Sequence, residues 1–399
     1  MQYYSRKIAP IFNKYFAQKQ VVVITGMRRV GKTTFLQRVF DQLPTTNKIF
    51  LSLENIFVRK IFDQTNYADV ARSLEHEGVL LSQSPAYIFL DEIQLSPNIP
   101  SVIKYLYDQF GTKFVVTGSS SYYIKNHFTE SLAGRKFVLE LRPLTFSEFL
   151  IFKDQKPPRD SLAPSQPMFS LTYANQSLGF DQYANLFQEY LQYGGFPEVV
   201  LQKNLSLKTE MLIDIINSYF QIDVTTLAQF SDVPKLHDLL ILLTQRIGQK
   251  LNVTNLASAL QISRNQTIEY LELLKSTYVI DTLSQKSSVD NRVSADDKLY
   301  FTDCGLANTL AGVASGSLLE NAVYMNLVYD YKLGYYQTKS GGEIDFVLDN
   351  QIALEVKETI AQSDLANLKK RCHSAGIEEY YLVGAHPNQV ERSIMAWEL

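Results

Sequence analysis

Three stretches of this 399-residue chain carry residue types spaced for chemistry. The first is Gly26-Met27-Arg28-Arg29-Val30-Gly31-Lys32-Thr33, a G-x-x-x-x-G-K-[ST] pattern followed by Thr34. Its glycines let the backbone curl until N–H groups face phosphate oxygens. Lys32 would then reach the β- and γ-phosphates of ATP, and Thr33 would bind Mg²⁺. VVVIT supplies a strand before the motif and TTFLQRVF a helix after it, the context such a loop requires. The second stretch, AYIFLDEIQ, ends an apolar strand in Asp91 and Glu92. Asp91 is expected in the Mg²⁺ shell, and Glu92 is expected to orient and deprotonate the attacking water. On a further strand, KFVVTGSSS, Thr117 or Ser119 would sense the γ-phosphate or simply cap the next helix.

The third stretch, GGEIDFVLDNQIALEVKET, places Glu343, Asp345, Glu355 and Lys357 among apolar residues. A three-residue loop at Asp349-Asn350-Gln351 sets Leu348 against Ile352, Phe346 against Leu354 and Ile344 against Val356. The large apolar side chains then share one face, as a half-buried hairpin requires. On the other face Asp345 lies opposite Glu355, and Glu343 opposite Lys357. Like charges so placed repel. A shared proton would relieve this, and so would Mg²⁺ or Mn²⁺, hard cations that prefer oxygen. Lys357 would orient a water or stabilise a pentavalent transition state. Glu320 joins from the preceding helix as a third metal ligand, unless it serves only a capping box with Ser317.

The elements that must hold these residues follow from the apolar pattern. Over residues 1–152, QVVVIT, KIFLSL, AYIFLD, KFVVTG and KFVLEL read as near-continuous apolar strands with helices between them. That pattern suits a parallel sheet covered on both faces. Residues 153–180 are rich in Pro and Ser and read as a linker or surface loop. Residues 181–235 read as a helical lid, and 236–313 as helices followed by a hairpin. Residues 314–399 run helix, three strands, helix, strand. In LNVTNLASALQISRNQTIEYLELLKSTYVI, two helices meet at a turn, with Ser263 and Gln266 as a capping box. With DTLSQ and KLYFTD as a β-wing, residues 236–313 resemble a winged helix. Its second helix would present Arg264, Asn265 and Gln266 to a DNA major groove, or the module would be purely structural or protein-binding.

The phosphate-loop and acidic-strand motifs resemble AAA-type ATPases of the additional-strand P-loop group. ESLAGRKFVLELRPLTFSEFL, YLQYGGFPEVV and KLYFTDCGLANTLAG extend that resemblance to a prokaryotic family with an AAA-type domain before a C-terminal region of poorly known role. It implies an arginine finger; Arg135 is the first candidate and Arg142 the second, and action in trans would require a homo-oligomer. The order α-β-β-β-α-β, with Asp345 and Glu355-Val356-Lys357, resembles the PD-(D/E)XK nucleases, although Ile344 stands where Pro is usual. The resemblance implies a restriction-endonuclease-like α/β domain binding DNA and cleaving it by metal-assisted hydrolysis. The rival expectation is a nucleotide-dependent switch whose C-terminal domains dock DNA or a protein partner without cutting. Lys369, Lys370 and Arg371 on the next helix would meet a phosphate backbone.

Composition narrows the remaining classes. A net charge of -3 gives no global sign of nucleic-acid binding, so any such surface must be local. Cys304 and Cys372 stand far apart, forming neither a disulfide framework nor a zinc cluster, and fit a reducing compartment. MQYYSRKIAPIFNKYF lacks the apolar core of a secretion signal. No run approaches the ~20 apolar residues of a membrane helix, so a cytoplasmic protein without membrane contact is expected.

Overall fold

The computed structural model describes residues 3–119, 132, 134–158, 173–224, 233–286, 296–337 and 341–399. They form two compact units. The first comprises Met1–Arg142 with Gln221–Gln229 and Ser276–Tyr278. Its elements are α1 (Ala9–Phe16), β1 (Val21–Thr25), α2 (Lys32–Gln42), β2 (Lys48–Ser52), α3 (Ile56–Phe62), α4 (Tyr67–His76), β3 (Tyr87–Asp91), α5 (Ile99–Phe110), β4 (Lys113–Gly118) and β5 (Lys136–Glu140). The five expected strands are all present. They lie parallel in the order β2-β3-β4-β1-β5, so β4 is inserted between the phosphate-loop strand and the Asp91 strand. Val21 to Ile24 and Ile88 to Leu90 have no solvent exposure, because the central strands are buried on both faces and their positions there need apolar side chains. Parallel pairing also puts the ends of β1, β3 and β4, and hence Thr25, Asp91 and Gly118, on one edge. In an open α/β sheet that edge is where ligands bind.

The first unit closes at Arg142, ten residues before the boundary expected at 152. Residues 146–152 form α6 (Phe146–Phe152), which belongs to the second unit. Its reciprocal capping box, Thr145 with Glu148, starts the helix, and Phe146 packs edge-on against Phe187 at 5.0 Å. That aromatic burial draws the helix out of the ATP-loop unit.

The second unit continues with α7 (Tyr173–Tyr193), α8 (Pro197–Leu201) and α9 (Leu205–Ser218); a π-helical turn, Tyr219–Val224, follows, of which Gln221 onward belongs to the first unit. Then come α10 (Val233–Thr244), α11 (Val253–Leu260) and α12 (Arg264–Ser276). The antiparallel pair β6 (Ile280–Leu283) and β7 (Lys298–Phe301) follows, with isolated bridges from Ile247 to Leu299 and Lys250 to Lys298. Residues 287–295, part of the expected wing, lie outside the described residues. Two glycine-bearing motifs meet inside this unit. Asp303 caps α13 (Cys304–Leu310) by accepting the Leu306 N–H at 2.8 Å, and its other oxygen accepts the Gly195 N–H at 2.7 Å. A Cβ on Gly194, whose φ is +72°, would lie 2.1 Å from Asp303 Oδ1, so only glycine permits this clasp. Burial raises the Asp303 carboxyl to about 6, although the N–H donors of Gly195, Leu306 and Gly305 oppose the shift.

The C-terminal part contains α14 (Ser315–Leu327), β8 (Leu333–Gln337), β9 (Glu343–Leu348), β10 (Ile352–Lys357), α15 (Gln362–Ala375) and β11 (Glu379–Gly384). This is the expected element order, with one short extra strand, β12 (Ser393–Met395). The sheet order is β12-β11-β10-β9-β8, parallel from β10 to β12 and antiparallel from β8 to β10. Next to the loop the β9–β10 register is the expected one, with Leu348 paired to Ile352 and Phe346 to Leu354; the pairing ends there, short of the expected Asp345–Glu355 and Ile344–Val356 pairs. Asp349 and Asn350 adopt positive φ in the three-residue loop. The expectation of a half-buried hairpin needs correction. Phe346 packs towards Tyr300 on one face, while Val347 and Ala353 join Leu368 and Cys372 of α15 on the other. Both faces carry packed apolar side chains, and of the charged residues here Glu355 is buried while Glu343, Asp345 and Lys357 are partly exposed.

Candidate functional site

At the shared edge of the first sheet, the chain turns from β1 into α2 through Gly26 (φ +140°), Arg29 (φ +64°) and Gly31 (φ +95°). A Cβ on Gly26 would stand 2.1 Å from the Leu141 carbonyl oxygen, so the loop closes against β5 only with glycine there. Met27 and Val30 are buried and anchor the loop. Arg6, missed in the sequence reading, braces it from outside: its guanidinium donates to the carbonyls of Val30 (2.8 Å) and Arg142 (2.7 Å). Lys32 is 4% exposed, and its ammonium donates to the carbonyls of Gly26 and Met27, both at 2.9 Å. Those carbonyls hold the ammonium over the loop, where phosphate oxygens can replace them. The first-turn N–H groups of α2 add the positive end of the helix. Thr33 and Thr34 are exposed on that turn.

Thr33 Oγ1 donates to Asp91 Oδ2 at 2.8 Å. Thr117 donates to Asp91 Oδ1 and accepts the Glu92 N–H at 3.0 Å. Gln94 Nε2 donates to Glu92 and, at 2.9 Å, to Ser119 Oγ. Glu92 itself has φ 59° and ψ 51°, a left-handed conformation rare for such a residue. That turn takes its carboxylate out of the strand direction. Burial raises the Asp91 pKa, against the lowering effect of hydrogen bonds from Thr117 and Thr33. Thr33 and Asp91 fit Mg²⁺: a hydroxyl and a carboxylate, both hard oxygen donors, already face one another.

A different arrangement surrounds the carboxylates of the second unit. Lys298, on β7 and 1% exposed, extends its ammonium among Glu343 Oε1 (2.6 Å), Asp345 Oδ1 (3.4 Å) and Glu320 Oε1 (3.5 Å). The Tyr300 hydroxyl donates to Glu320 at 2.7 Å, and its ring stacks on Tyr324 at 4.4 Å. Gly248 (φ +75°) makes room: a Cβ there would lie 2.6 Å from Glu320 Oε2. Burial pushes Glu320 up to about 7, assisted by the Asp345 charge and opposed by Lys298. Burial alone would lower Lys298, but Glu320, Asp345 and Glu343 outweigh it and the net shift is upward. Asp345 Oδ2 accepts the Val356 N–H at 2.9 Å. Glu355, 3% exposed, is paired separately, with Lys357 at 3.0 Å and Arg371 at 2.7 Å. Burial raises the Glu355 pKa and the two cations oppose the rise.

Comparison with known proteins bears on the domain that carries the first of these sites. Residues 18–150 match a family model described as an AAA domain. The first unit is a P-loop ATPase domain of the AAA type. Residues 184–317 and 315–399 match two models described as domains of unknown function, DUF8612 and DUF4143. An uncharacterized protein of Haemophilus influenzae is 27% identical over 368 residues, covering 86% of this chain and 85% of that one. An uncharacterized protein of Methanocaldococcus jannaschii is also 27% identical, covering 88% and 78%. Among solved structures, the Aeropyrum pernix ORC1 protein in complex with DNA is 13% identical, with a TM-score of 0.30, over 76% of this chain and 89% of that one.

Within the AAA domain, the structure brings Lys32, Thr33, Asp91 and Glu92 to one edge. Thr117 is moved from the expected ligand list: it is fully buried and both its hydroxyl roles are spent on Asp91 and Glu92. Arg135 precedes β5 at the opposite edge, where its backbone carbonyl accepts the Val21 N–H. Four residues of strand, about 13 Å, separate that level from Thr25. Arg135 instead pairs with Asp108 at 3.2 Å. Arg142 follows β5 at the phosphate-loop edge and pairs with Glu140 at 2.9 Å.

In the second unit, the expected metal set of Glu320, Asp345 and Glu355 is corrected. Among the described residues, no three His, Cys, Asp or Glu side chains form a group able to hold a metal ion. Glu320 and Asp345 share Lys298, and Glu355 belongs to a second ion-pair group. The capping explanation for Glu320 also falls, because α14 begins at Ser315 with Ala314 as its N-cap. Arg371 turns inward to Glu355, leaving Lys369 and Lys370 exposed. Arg264 and Asn265 are exposed at the start of α12, while Gln266 bonds the Tyr270 hydroxyl at 2.9 Å. Among the described residues, no helix is long and apolar enough to cross a membrane.

Proposed function

We propose that this chain is a nucleotide-dependent switch that hydrolyses ATP and docks DNA without cutting it. The observation that carries the ATPase part is the Thr33–Asp91 hydrogen bond beside Lys32, with Glu92 turned out of the same strand end. Phosphate oxygens replace the loop carbonyls on Lys32, and the first turn of α2 receives the β-phosphate. Thr33 and Asp91 would hold Mg²⁺, which neutralises phosphate charge when bound. Glu92 takes the proton of the attacking water, while Thr117 and Gln94 fix its backbone and carboxylate. Thr117 also ties that base to Asp91, so the two acidic residues respond together to the bound nucleotide.

The three-helix and β-pair module of residues 233–301 supports a winged-helix reading, with Arg264 and Asn265 free to approach a groove. The C-terminal sheet supports a nuclease-like fold by its element order. Docking is favoured over cleavage because Asp345, Glu355 and Lys357 are engaged in ion pairs or backbone hydrogen bonds. Arg135 would contribute to ATP hydrolysis only in trans, within a homo-oligomer.

The test is ATP turnover and DNA binding by the full chain, with cleavage of labelled single- and double-stranded DNA followed in Mg²⁺ or Mn²⁺. ATP hydrolysis lost in Lys32→Ala, DNA affinity that changes with nucleotide, and intact DNA throughout are expected. Cleavage that Asp345→Ala abolishes would replace docking with a nuclease. ATP-dependent behaviour without any DNA affinity would make the docking partner a protein.

A further inference from the structure

We infer that the Lys298 ammonium is the resident cation of the second unit's carboxylate cluster, standing where a nuclease of this element order would hold a divalent metal. Three observations converge on it. First, Lys298 lies within 3.5 Å of carboxylate oxygens from Glu320, Glu343 and Asp345. Its distances of 2.6–3.5 Å are those of an ammonium, whereas Mg²⁺ requires oxygens near 2.0–2.1 Å in octahedral array.

Second, the lysine is fixed by its backbone. It pairs with Leu283 across β6 and bridges Lys250, and its neighbour Leu299 is fully buried. That pairing holds the root of the side chain beside the cluster. Third, the oxygens that a metal would need are already committed. Asp345 Oδ2 holds the Val356 N–H, and both Glu355 oxygens hold cations. A divalent ion entering beside Lys298 would meet a positive charge within a few ångströms, in a site with little water to screen it.

The cluster is therefore an ion lock. It ties the β7 strand, helix α14 and strand β9 together through one side chain. Docking at the C-terminal sheet then proceeds without any metal requirement. The inference does not depend on ATP hydrolysis, and its test reads neither hydrolysis nor cleavage.

The experiment titrates Mn²⁺ into nucleotide-free full-length chain, following bound metal by electron paramagnetic resonance. All samples carry Asp91→Asn, which removes the nucleotide-site carboxylate from the count. Without further change, no saturable Mn²⁺ site is expected. Adding Lys298→Met leaves the carboxylates facing one another and should create one saturable site, which Asp345→Asn then abolishes. One Mn²⁺ bound with Lys298 intact, and lost in Asp345→Asn, would overturn the inference. So would a folded Lys298→Met chain, checked by circular dichroism, that binds no metal. If Lys298→Met fails to fold, the Lys298-intact arm still decides the matter.

Discussion

Two of the buried lysines, one in each unit, are held in opposite ways. Lys32 rests on the backbone carbonyls of its own loop, and Lys298 on three carboxylates. Carbonyl oxygens are neutral and exchange readily for phosphate, so Lys32 is held in readiness for an anion. The carboxylates around Lys298 compensate its charge already, so there the lysine is itself the ligand. In the sequence Lys32 stands in a glycine-rich motif and Lys298 directly after Asp296 and Asp297. What separates them is whether the partners are leaving or staying.

The largest effect should come from the first site. Glu92→Gln is expected to lower ATP turnover by roughly 10²–10⁴-fold with ATP binding retained. Steady-state hydrolysis and equilibrium nucleotide binding, measured together, check this; unchanged turnover would remove Glu92 as the base.

Stability should separate the lysines in the opposite sense. Lys298→Met strips the partner from buried carboxylates and should cost about 3–5 kcal/mol in urea unfolding. Lys32→Met breaks bonds to two carbonyls and should cost about 1 kcal/mol. Equal losses would erase the distinction drawn between the two sites.

A smaller effect is the pH dependence of the second site. Glu320 is raised from 4.5 to about 7 in the folded chain. Between those values the folded state holds a proton that the unfolded chain has released, so stability falls as pH rises through that window. Glu320→Gln should flatten the fall in a series of melting temperatures from pH 4.5 to 7. Asp303, raised to about 6, contributes in the same direction and will keep part of the slope in both proteins. The smallest effect belongs to Arg135: in dilute, monomeric protein Arg135→Ala should change turnover by less than about twofold. A large loss under those conditions would contradict its position at the far edge of the sheet.

The first sheet was legible because strand periodicity, glycine spacing and the acidic strand end are local signals, and each survives in the structure. The β9–β10 register was legible for the same reason, since a shift by one residue would reverse the faces. The content of the second site was not. Lys298 lies 47 residues from Asp345 and 22 from Glu320 in the chain. Nothing in KLYFTD distinguishes a lysine that points inward from one that points to water. Gly248 carried a signal only in retrospect, as the position where a side chain would displace Glu320. The distance of Arg135 from the nucleotide edge could not be read from the sequence, because it depends on which way the following strand runs in the sheet. The clasp between Gly195 and Asp303 spans 108 residues, a separation at which no local pattern links the two glycine motifs.

The Arg6 brace has a consequence for how the protein is made. The ribosome delivers Arg6 early, yet one of its two carbonyl partners lies 136 residues further along. At roughly 5–20 residues per second, Arg6 waits about 7–27 s for the Arg142 carbonyl before the brace is complete. During that interval the nascent loop is open on the side that Arg6 later closes. A fragment trimmed to residues 18–150, the span matched as an AAA domain, would keep every phosphate-binding residue and never receive its fastener.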